Sequence, residues 1–586
     1  MRKFELSGFA VLAILSMSSA CGSQDAAPPS STGGSSHAGG ATSSGGSGAG
    51  GSASGVGGVS QGSGGAIGSG GQQGTGGANG TGGKPGTGGA NGTGGKPGTG
   101  GTNSTGSGGV SAPGGVTGSG GLPGTGGRGG PGDAGVPDAT PGAGGRSGTG
   151  GVGPGAGGTT GPGSGGSTGS GTYVGGTKTP GTAPAGAITV DPSKPHQIVD
   201  GFGQADVWQP SSSATMQTLL FDPVNGIGLN LLRIGIESKS GASVLMGDAA
   251  IADSKACVKF AGSDCKVWAA PWSPPASMKN NNNVNGGTGQ TTDTLKTTSY
   301  DAWATLLAGF PATFKQQSGV DLFAVSAQNE PDWNASYEAC IYDKTQMVNF
   351  INVLGPKLAA LNPPIKVLAA EPDNWGNMWG GDAYSPAIIA DATANGYVGI
   401  LATHDYGTTS AGTYARPAPP ANNTHHIWET ECTPGDTGPI TIATMIYAAF
   451  STGGVSGWHY WWTSSLVSNA SSPPAQVYAL GNFSKYVRPG YYRVDVSGAP
   501  TPSASKPLVV AFSNLSDNTV AIVVVNGGSA QTASFFVAGT AWPASVTPYV
   551  TTSSSKLAAG TAITVTAGAF TASLDASSVT TFVGKP

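Results

Sequence analysis

The distribution of glycine divides this chain into two parts with different folding prospects. Most of its 105 glycines lie before about residue 185, in a stretch where apolar residues are almost absent. A segment of that composition cannot bury enough apolar surface to offset the entropy lost when a chain becomes ordered. Residues 186–586, in contrast, have the composition of a globular domain large enough to bury a substantial core.

Residues 22–185 are therefore predicted to be a disordered Gly/Ser/Thr-rich linker. They contain near-exact repeats, starting at Gly74 and Gly86, but lack the glycine at every third position that a collagen helix needs. A flexible coil of this length has an end-to-end distance of roughly 60–75 Å. Such a linker would let an anchored domain reach insoluble material, although a spacer without a selected length would have the same composition.

Residues 1–21 are typical of an export signal. Two basic residues precede a short apolar stretch, residues 8–15, which is too short to span a bilayer. Cys21 follows small residues, as in a bacterial lipobox whose cysteine is acylated, but Ser18 stands where leucine is typical. We expect either a surface or outer-membrane lipoprotein, anchored through Cys21 alone, or a secreted protein with a plain signal peptide. A monomer is expected.

Export also predicts that the four later cysteines are oxidised, and four cysteines allow three pairings. Cys257 and Cys265 are close in sequence and are expected to form a local disulfide. Cys340 and Cys432 each follow a carboxylate-bearing segment, so a second disulfide between them would connect two functional loops. The spacings fit no zinc site.

Residues 186–487 alternate between short apolar runs and helical patterns. A helical stripe over residues 303–314 ends near Gly319, and a second over 347–354 is expected to stop before Pro356. Eight strands with helical crossovers predict an α/β fold, a (β/α)8 TIM barrel. The predicted strands are 197–203, 231–234, 266–270, 322–327, 365–370, 399–403, 426–428 and 455–462.

Residues 488–586 have a different pattern, with β-rich runs and no helical stripe between them. The runs at 508–512, 519–525 and 578–583 are separated by turn residues. This pattern predicts a C-terminal side β-sandwich. Residues 187–190, before the barrel, could supply a further strand to it.

Two segments of the barrel each end an apolar run with a carboxylate: 328–331, which contains Glu330, and 428–431, which contains Glu431. Cleavage of a glycosidic bond requires two carboxyl groups across one pocket. Glu429 lies two residues before Glu431 and would share its strand face, so alternation alone does not choose between them. Charged residues are only 10% and the net charge is −4, which argues against a nucleic-acid partner and fits a neutral substrate.

Polar and aromatic residues follow the carboxyl ends of successive predicted strands. In barrels of this kind, chemistry occurs at that face. The residues in question are Arg233, Trp272, Glu330, Glu371, His404, Glu431 and Trp462.

An ordered set of segments resembles glycoside hydrolase family 30, and most closely its bacterial, glucuronoxylanase-like endoxylanase branch. The resemblance covers essentially all of 186–586. It implies a barrel with a side β-sandwich built from both ends of the domain, and a retaining double-displacement mechanism. The segments are 197–203, 270–275, 325–333, 403–407, 428–431 and 483–490.

The resemblance also implies roles for individual residues. Glu330 matches the acid/base, and the Trp-x-Thr-Glu segment selects Glu431, not Glu429, as the nucleophile. Asn329 is expected to hydrogen-bond the sugar 2-hydroxyl, and Arg233 to pair with a carboxylate beneath the pocket.

The remaining candidates are substrate-binding residues. Trp272, Trp461 and Trp462 would offer faces for sugar stacking, or else pack at the barrel rim. Tyr406 and His404 would hydrogen-bond the nucleophile or the sugar. The histidines lack the spacing of metal ligands, so neither a catalytic metal nor another cofactor is expected.

One departure from that branch concerns the substrate. There, the tandem tryptophans are followed by two arginines and a tyrosine that hold the carboxylate of a glucuronic acid branch, whereas residues 463–469 contain no cation. We therefore expect an endo-β-1,4-xylanase that acts on plant cell-wall polysaccharide without needing that branch. Alternatives are β-1,6-galactanase, β-1,6-glucanase or β-glucosidase activity, or an inactive carbohydrate-binding lipoprotein, which would not need both glutamates and Asn329.

Overall fold

The computed structural model describes residues 172–239, 243–245, 248–287, 292–380, 383–407 and 414–586. The predicted export signal, Cys21 and most of the predicted linker lie outside these residues. Within the described ranges, no helix is both long enough and apolar enough to cross a bilayer.

The strands form two sheets. In chain order they are β1 (Ile188–Ile198), β2 (Gly201–Ala205), β3 (Leu231–Lys239), β4 (Ser243–Leu245), β5 (Lys266–Pro271), β6 (Ala324–Ser326), β7 (Lys366–Ala370), β8 (Val398–His404), β9 (His426–Glu431), β10 (Gly457–Trp462), β11 (Tyr492–Ser497), β12 (Leu508–Asn514), β13 (Thr519–Asn526), β14 (Gln531–Val537), β15 (Ser545–Thr551), β16 (Ala558–Ala559), β17 (Ile563–Thr564), β18 (Ala569–Leu574) and β19 (Ser578–Gly584).

The first sheet is a closed barrel of eight parallel strands in the order β2-β3-β5-β6-β7-β8-β9-β10, and β10 pairs back onto β2. The short strand β4 adds an antiparallel hairpin to β3. Each of the eight predicted runs overlaps one barrel strand, so the prediction of a TIM barrel is confirmed. The runs are almost continuously apolar because both faces of such strands are buried.

Helices cover the outside of the barrel. They are α1 (Ala214–Phe221), α2 (Asp248–Ala261), α3 (Tyr300–Ser318), α4 (Lys344–Ala359), α5 (Trp375–Trp379), α6 (Tyr384–Ala390), α7 (Ala392–Tyr397), α8 (Pro439–Ser451), α9 (Thr463–Leu466) and α10 (Ala475–Ser484). Short 3-10 helices occupy Gly262–Asp264, Ala276–Met278 and Thr297–Ser299.

The two helices predicted from apolar stripes are α3 and α4. Helix α3 ends as expected at Gly319, which has a φ of 73° and donates its N–H to the carbonyl of Lys315. The prediction that α4 stops before Pro356 was wrong, since the helix continues through it to Ala359. The preceding residue is Gly355, which has no Cβ to clash with the proline ring, so the helical backbone is tolerated there.

The barrel interior is filled with side chains and is not a channel. Trp268 and Trp428 are fully buried in it, with their ring centroids 6.2 Å apart in an edge-to-face arrangement. Smaller apolar side chains, Leu231, Ala324, Leu368, Ile400 and Ala402, complete this cluster. Because the interior is packed, a substrate can reach the strands only from an open end of the barrel.

The second sheet forms the side domain, with strand order β16-β15-β19-β13-β12-β11-β1-β14-β18. Strand β1 precedes the barrel in sequence, yet it pairs antiparallel with β11 and parallel with β14. The expected strand at 187–190 therefore belongs to this sheet, and both ends of the globular part contribute to the side domain.

The chain packs against this domain before residue 185, the predicted end of the linker. Gly176 donates its N–H to the Thr540 hydroxyl at 2.8 Å, and Lys178 donates to the carbonyl of Trp542 at 2.7 Å. The Lys178 ammonium also lies 4.5 Å from the centroid of the Trp542 ring. These contacts are hydrogen bonds and a cation–π contact, so apolar patterning could not reveal them.

One of the two predicted disulfides is present. Cys257 and Cys265 are bonded, with Cα atoms 5.8 Å apart. The predicted bond between Cys340 and Cys432 was wrong, and both residues are buried thiols. They follow β6 and β9, which are separated by β7 and β8; three strand spacings of about 4.8 Å exceed the Cα separation that a disulfide can bridge.

Candidate active site

Glu330 lies in the segment that follows β6. Its φ is 42°, in the left-handed region, and its N–H donates to the carbonyl of Glu371 at 3.0 Å. The side chain is 4% exposed, and its Oε1 lies 3.1 Å from Nδ1 of His404. The Asn329 amide donates to Oε2 at 3.4 Å. The predicted acid/base thus contacts two other candidate site residues, His404 and Asn329.

Glu431 reaches the same site because β9 contains a bulge. Thr403 of β8 pairs with Glu429, but the next residue, His404, pairs with Glu431, so Thr430 is an extra residue in β9. A bulge of this kind reverses the alternation of side chains and re-aims one of them.

The expectation that Glu429 and Glu431 share a strand face was therefore wrong. Glu429 is fully buried and accepts a hydrogen bond at 3.1 Å from the indole of Trp375, in helix α5 outside the barrel. Burial raises the pKa of Glu429 well above its usual value, and the nearby Asp405 raises it further. Of the two carboxyl groups on this strand, only Glu431 belongs to the site with Glu330.

The two candidate catalytic glutamates lie close together. One carboxylate oxygen of each, together with a ring nitrogen of His404, fall within 4.8 Å of one another. The Tyr406 hydroxyl donates to Oε1 of Glu431 at 2.7 Å, and Arg233 donates to Oε2. Burial raises the pKa of Glu431, and the nearby Glu330 also raises it. His404 and Arg233 lower this pKa, but the net shift is upward.

Arg233 is the fully buried cation that joins the carboxylates. One terminal nitrogen bonds Glu431, and the other donates to Oδ1 of Asn329 and lies 3.0 Å from Glu371. The predicted pairing of Arg233 with a carboxylate is present, with two partners instead of one. Burial lowers the pKa of Arg233, but Glu371 and Glu431 outweigh that effect and the net shift is upward.

Glu371 also belongs to this cluster, although the sequence predicted only its position at a strand end. It is fully buried beyond β7, with a φ of 59°, and accepts a hydrogen bond from Ser326. Burial would raise its pKa, but Arg233, His404 and the Ser326 hydroxyl lower it overall, so the carboxylate is ionised. Its position directly after an apolar run was the available sequence signal.

His404 is held as a cation by the surrounding carboxylates. Burial alone would lower its pKa, but Glu431, Glu330 and Glu371 raise it to about 10. Its Nε2 lies 3.5 Å from Glu371 and 3.8 Å from Glu431. Tyr406 stays protonated as well, because burial and Glu431 raise the pKa of its hydroxyl. Tyr406 thus donates to the predicted nucleophile, as expected, whereas the hydrogen bonds of His404 go to Glu330 and Glu371.

The trio Glu330, His404 and Glu431 also has the spacing of a metal site. A protonated imidazole has no lone pair to offer a metal, and the oxygens of both glutamates already accept hydrogen bonds. A second buried trio, Asp405, Glu429 and Cys432, has the Arg416 guanidinium 2.6 Å from Asp405. The positive charge of Arg416 beside Asp405 would repel a metal ion bound to this trio.

The predicted stacking tryptophans are largely covered. Trp272 is 2% exposed and has its ring centroid 4.7 Å from the guanidinium of Arg233. Trp461 and Trp462 are each 5% exposed, and their rings are stacked with centroids 5.2 Å apart. Sugar stacking on these rings stays a prediction, but their rim packing is evident. Trp208 and Trp333, not singled out as ligands, are the more exposed tryptophans.

Comparison with known proteins places this geometry in a family. Residues 250–435 match the glycosyl hydrolase family 30 TIM-barrel domain. The chain is 29% identical over 416 residues to glucuronoxylanase XynC of Bacillus subtilis (strain 168), covering 68% of this chain and 92% of that one.

Solved structures agree with this result. Xyn30A, a glycoside hydrolase family 30 subfamily 8 xylanase from Clostridium acetobutylicum, is 30% identical, with a TM-score of 0.60 and coverage of 69% of this chain and all of that one. An endoxylanase of the family from Clostridium papyrosolvens C71 is also 30% identical, with a TM-score of 0.57 and coverage of 68% and 100%. With this sequence similarity, the shared architecture and the clustered glutamates, the chain belongs to glycoside hydrolase family 30 and is a glycoside hydrolase.

Proposed function

We propose that this glycoside hydrolase is a retaining endo-β-1,4-xylanase. The observation that carries the proposal is the approach of Glu330 and Glu431, whose carboxylate oxygens come within 4.8 Å. Retaining enzymes place their two carboxyl groups about 5–5.5 Å apart, whereas inverting enzymes need about 6.5–9.5 Å to admit a water molecule between carboxylate and sugar.

In the first step, Glu330 protonates the glycosidic oxygen as the bond from that oxygen to the anomeric carbon breaks. Glu431 attacks the anomeric carbon from the opposite face and forms a glycosyl ester. In the second step, Glu330 takes a proton from water, and the resulting hydroxide equivalent displaces Glu431. The two inversions restore the original configuration, and both glutamates return to their starting protonation states.

The neighbouring residues orient the pair. Arg233 and Tyr406 hold one oxygen each of Glu431, which fixes the carboxylate before attack. The carbonyl oxygen of Asn329 is engaged by Arg233, so its amide nitrogen is the end that remains for the 2-hydroxyl of the sugar. Hydrogen bonds to that hydroxyl strengthen in the transition state and lower the barrier.

The xylan substrate is supported by the relatives named above as xylanases. Independence from glucuronic acid is supported by residues 463–469, which contain no Lys or Arg. In the structure this segment begins with helix α9, where Ser464 and Ser465 are exposed and Thr463 and Leu466 are buried. Serine hydroxyls cannot replace a bidentate guanidinium as a partner for a carboxylate.

We also propose that the protein is exported, anchored by a lipid on Cys21, and monomeric. The apolar stretch before Cys21 and the long glycine-rich segment after it support export and the lipid anchor. Replacing Cys21 with Ala should release the enzyme from the membrane fraction into the medium. Persistence of the variant in the membrane fraction would contradict the lipid anchor.

The experiment that tests the function is a panel of glucuronoxylan, neutral arabinoxylan, β-1,6-galactan and β-1,6-glucan. We expect hydrolysis of both xylans at comparable rates, and loss of at least about 10³-fold in kcat for Glu330→Gln and Glu431→Gln. Activity confined to glucuronoxylan would refute branch independence. Activity on galactan or glucan alone would refute the xylanase proposal, and full activity of either variant would refute the catalytic roles.

A further inference from the structure

Two of the twelve tryptophans, Trp333 and Trp208, each expose more than a third of their surface. Trp333 exposes 48% of its surface and Trp208 exposes 37%, whereas Trp268, Trp303 and Trp375, for example, are fully buried. Trp208 follows barrel strand β2, and Trp333 follows β6. Both therefore lie at the carboxyl-terminal end of the barrel, where the catalytic glutamates lie. Exposed aromatic surface next to a site commonly marks a binding surface.

Trp333 is connected to the acid/base. The backbone N–H of Trp333 donates to the carbonyl of Glu330 at 3.1 Å, so Trp333 ends the turn that begins at Glu330. The turn is also fixed from outside, because the Asp332 carboxylate accepts a hydrogen bond at 3.0 Å from the N–H of Asp373. A half-exposed ring on a fixed turn is already positioned for a flat ligand.

Trp208 is connected to the nucleophile through a chain of contacts. Its ring centroid lies 5.1 Å from that of Trp272, whose ring in turn lies 4.7 Å from the guanidinium of Arg233, a partner of Glu431. The backbone of Trp208 has a φ of 56°, unusual for a bulky residue. Backbone strain of this kind is found at ligand-binding positions.

We propose that Trp333 and Trp208 are stacking platforms for backbone sugars on opposite sides of the scissile bond. The acid/base must touch the leaving oxygen, so the sugars of the leaving group lie beside Glu330 and Trp333. The nucleophile holds the other half of the chain in the ester, so that half lies beside Trp208. The apolar faces of pyranose rings pack on aromatic rings, and tryptophan offers the largest face.

Barrel order agrees with this assignment. Strands β3 and β5 stand between β2 and β6, so the two tryptophans lie on well-separated parts of the rim. Glu330 follows the same strand as Trp333, whereas Glu431 ends β9, which only β10 separates from β2 and Trp208. Trp333 thus occupies an aglycone subsite and Trp208 a glycone subsite. The inference rests on the proposed xylanase function, because it needs a chain of sugars on both sides of the cleaved bond.

The test is the cleavage pattern of xylohexaose labelled at its reducing end. In Trp333→Ala, aglycone binding weakens, so cleavage should move toward the reducing end, where fewer leaving-group sugars are required. In Trp208→Ala, cleavage should move toward the non-reducing end. We expect each ratio of products to change roughly two- to tenfold. General damage to the fold would lower the rate without shifting the two patterns in opposite directions.

Trp333→Tyr and Trp208→Tyr should restore most of the wild-type pattern, because tyrosine keeps a stacking face. Val224→Ala is a suitable control, since Val224 is 76% exposed but lies in the loop that leads into β3, at the other end of the barrel. It should leave the pattern unchanged. Active alanine variants with a wild-type pattern would overturn this inference alone, whereas a wild-type enzyme inert on xylohexaose would overturn the proposed function.

Discussion

At the scale of single residues, the site is a balance of buried charges. Arg233 and His404 supply two positive charges, and Glu371, Glu431 and Glu330 surround them. A buried charge is costly unless it is paired, so each member of this cluster depends on the others. Glu371 contacts both cations, at 3.0 Å from Arg233 and 3.5 Å from His404.

Glu371→Gln removes one negative charge at nearly constant volume. The three carboxylates raise the pKa of His404 to about 10, so the variant should have a lower His404 pKa and lose the imidazole proton at lower pH. Nitrogen-15 NMR titration of the ring would measure this shift. Breaking a buried ion pair should also cost about 3–5 kcal/mol in the free energy of unfolding.

The control for that prediction is Ser326→Ala, which removes a hydrogen bond to Glu371 and leaves its charge in place. It should leave the His404 pKa near the wild-type value. In the wild type, protonated His404 contributes fully to the free energy of unfolding below the ordinary histidine pKa of about 6.5. That contribution is lost as the pH rises through about 10, the raised pKa of His404. An unchanged His404 pKa in Glu371→Gln would contradict the charge balance described here.

At the scale of the elements, the bulge in β9 decides which carboxylate joins Glu330 in the site. Glu429 points outward to Trp375, and Glu431 points into the site. Glu429→Gln should keep wild-type activity within about threefold, because Glu429 lies outside the site and glutamine has nearly the same volume. Glu431→Gln, the matched change two residues away, should lose at least about 10³-fold in kcat. Equal losses in the two variants would disprove the assignment.

The barrel strands could be predicted from the sequence because strands buried on both faces are apolar along their whole length, as in β5 and β10. The strand-end positions of Glu330 and Glu431 followed from those runs. The bulge at Thr430 could not be predicted, since it arises from pairing with β8, a neighbour distant in sequence. The disulfide between Cys340 and Cys432 was predicted wrongly for a similar reason. Each cysteine is close in sequence to a glutamate of the site, but the convergence of the two glutamates does not bring the two cysteines together.

At the scale of the whole molecule, the opposite end of the barrel is closed by Asp200. Its carboxylate accepts hydrogen bonds from Lys266 at the start of β5 and His426 at the start of β9, and from the Trp428 indole at 2.8 Å. Burial would raise the pKa of Asp200, but these partners outweigh burial and lower it. The Asp200 side chain thus connects the segment before β2 with β5 and β9.

Asp200→Asn should reduce the free energy of unfolding by about 1–3 kcal/mol at pH 7, measured by urea denaturation. A depressed carboxyl pKa stabilises the fold above its ordinary value of about 3.9, and this contribution is lost as the pH falls. The difference between wild type and variant should therefore shrink as the pH is lowered from 7 to 3. A difference that is constant over this range would mean that the ionised carboxylate is not what stabilises this end of the barrel.

In the proposed mechanism, two glutamates from parts of the chain far apart in sequence act on opposite faces of one sugar. Proton NMR of the newly formed reducing end, recorded in the first minutes of xylohexaose hydrolysis, tests it directly. The spacing of Glu330 and Glu431 predicts that the β-anomer appears first and then mutarotates. Initial release of the α-anomer would contradict the double-displacement mechanism and the assignment of Glu431 as its nucleophile.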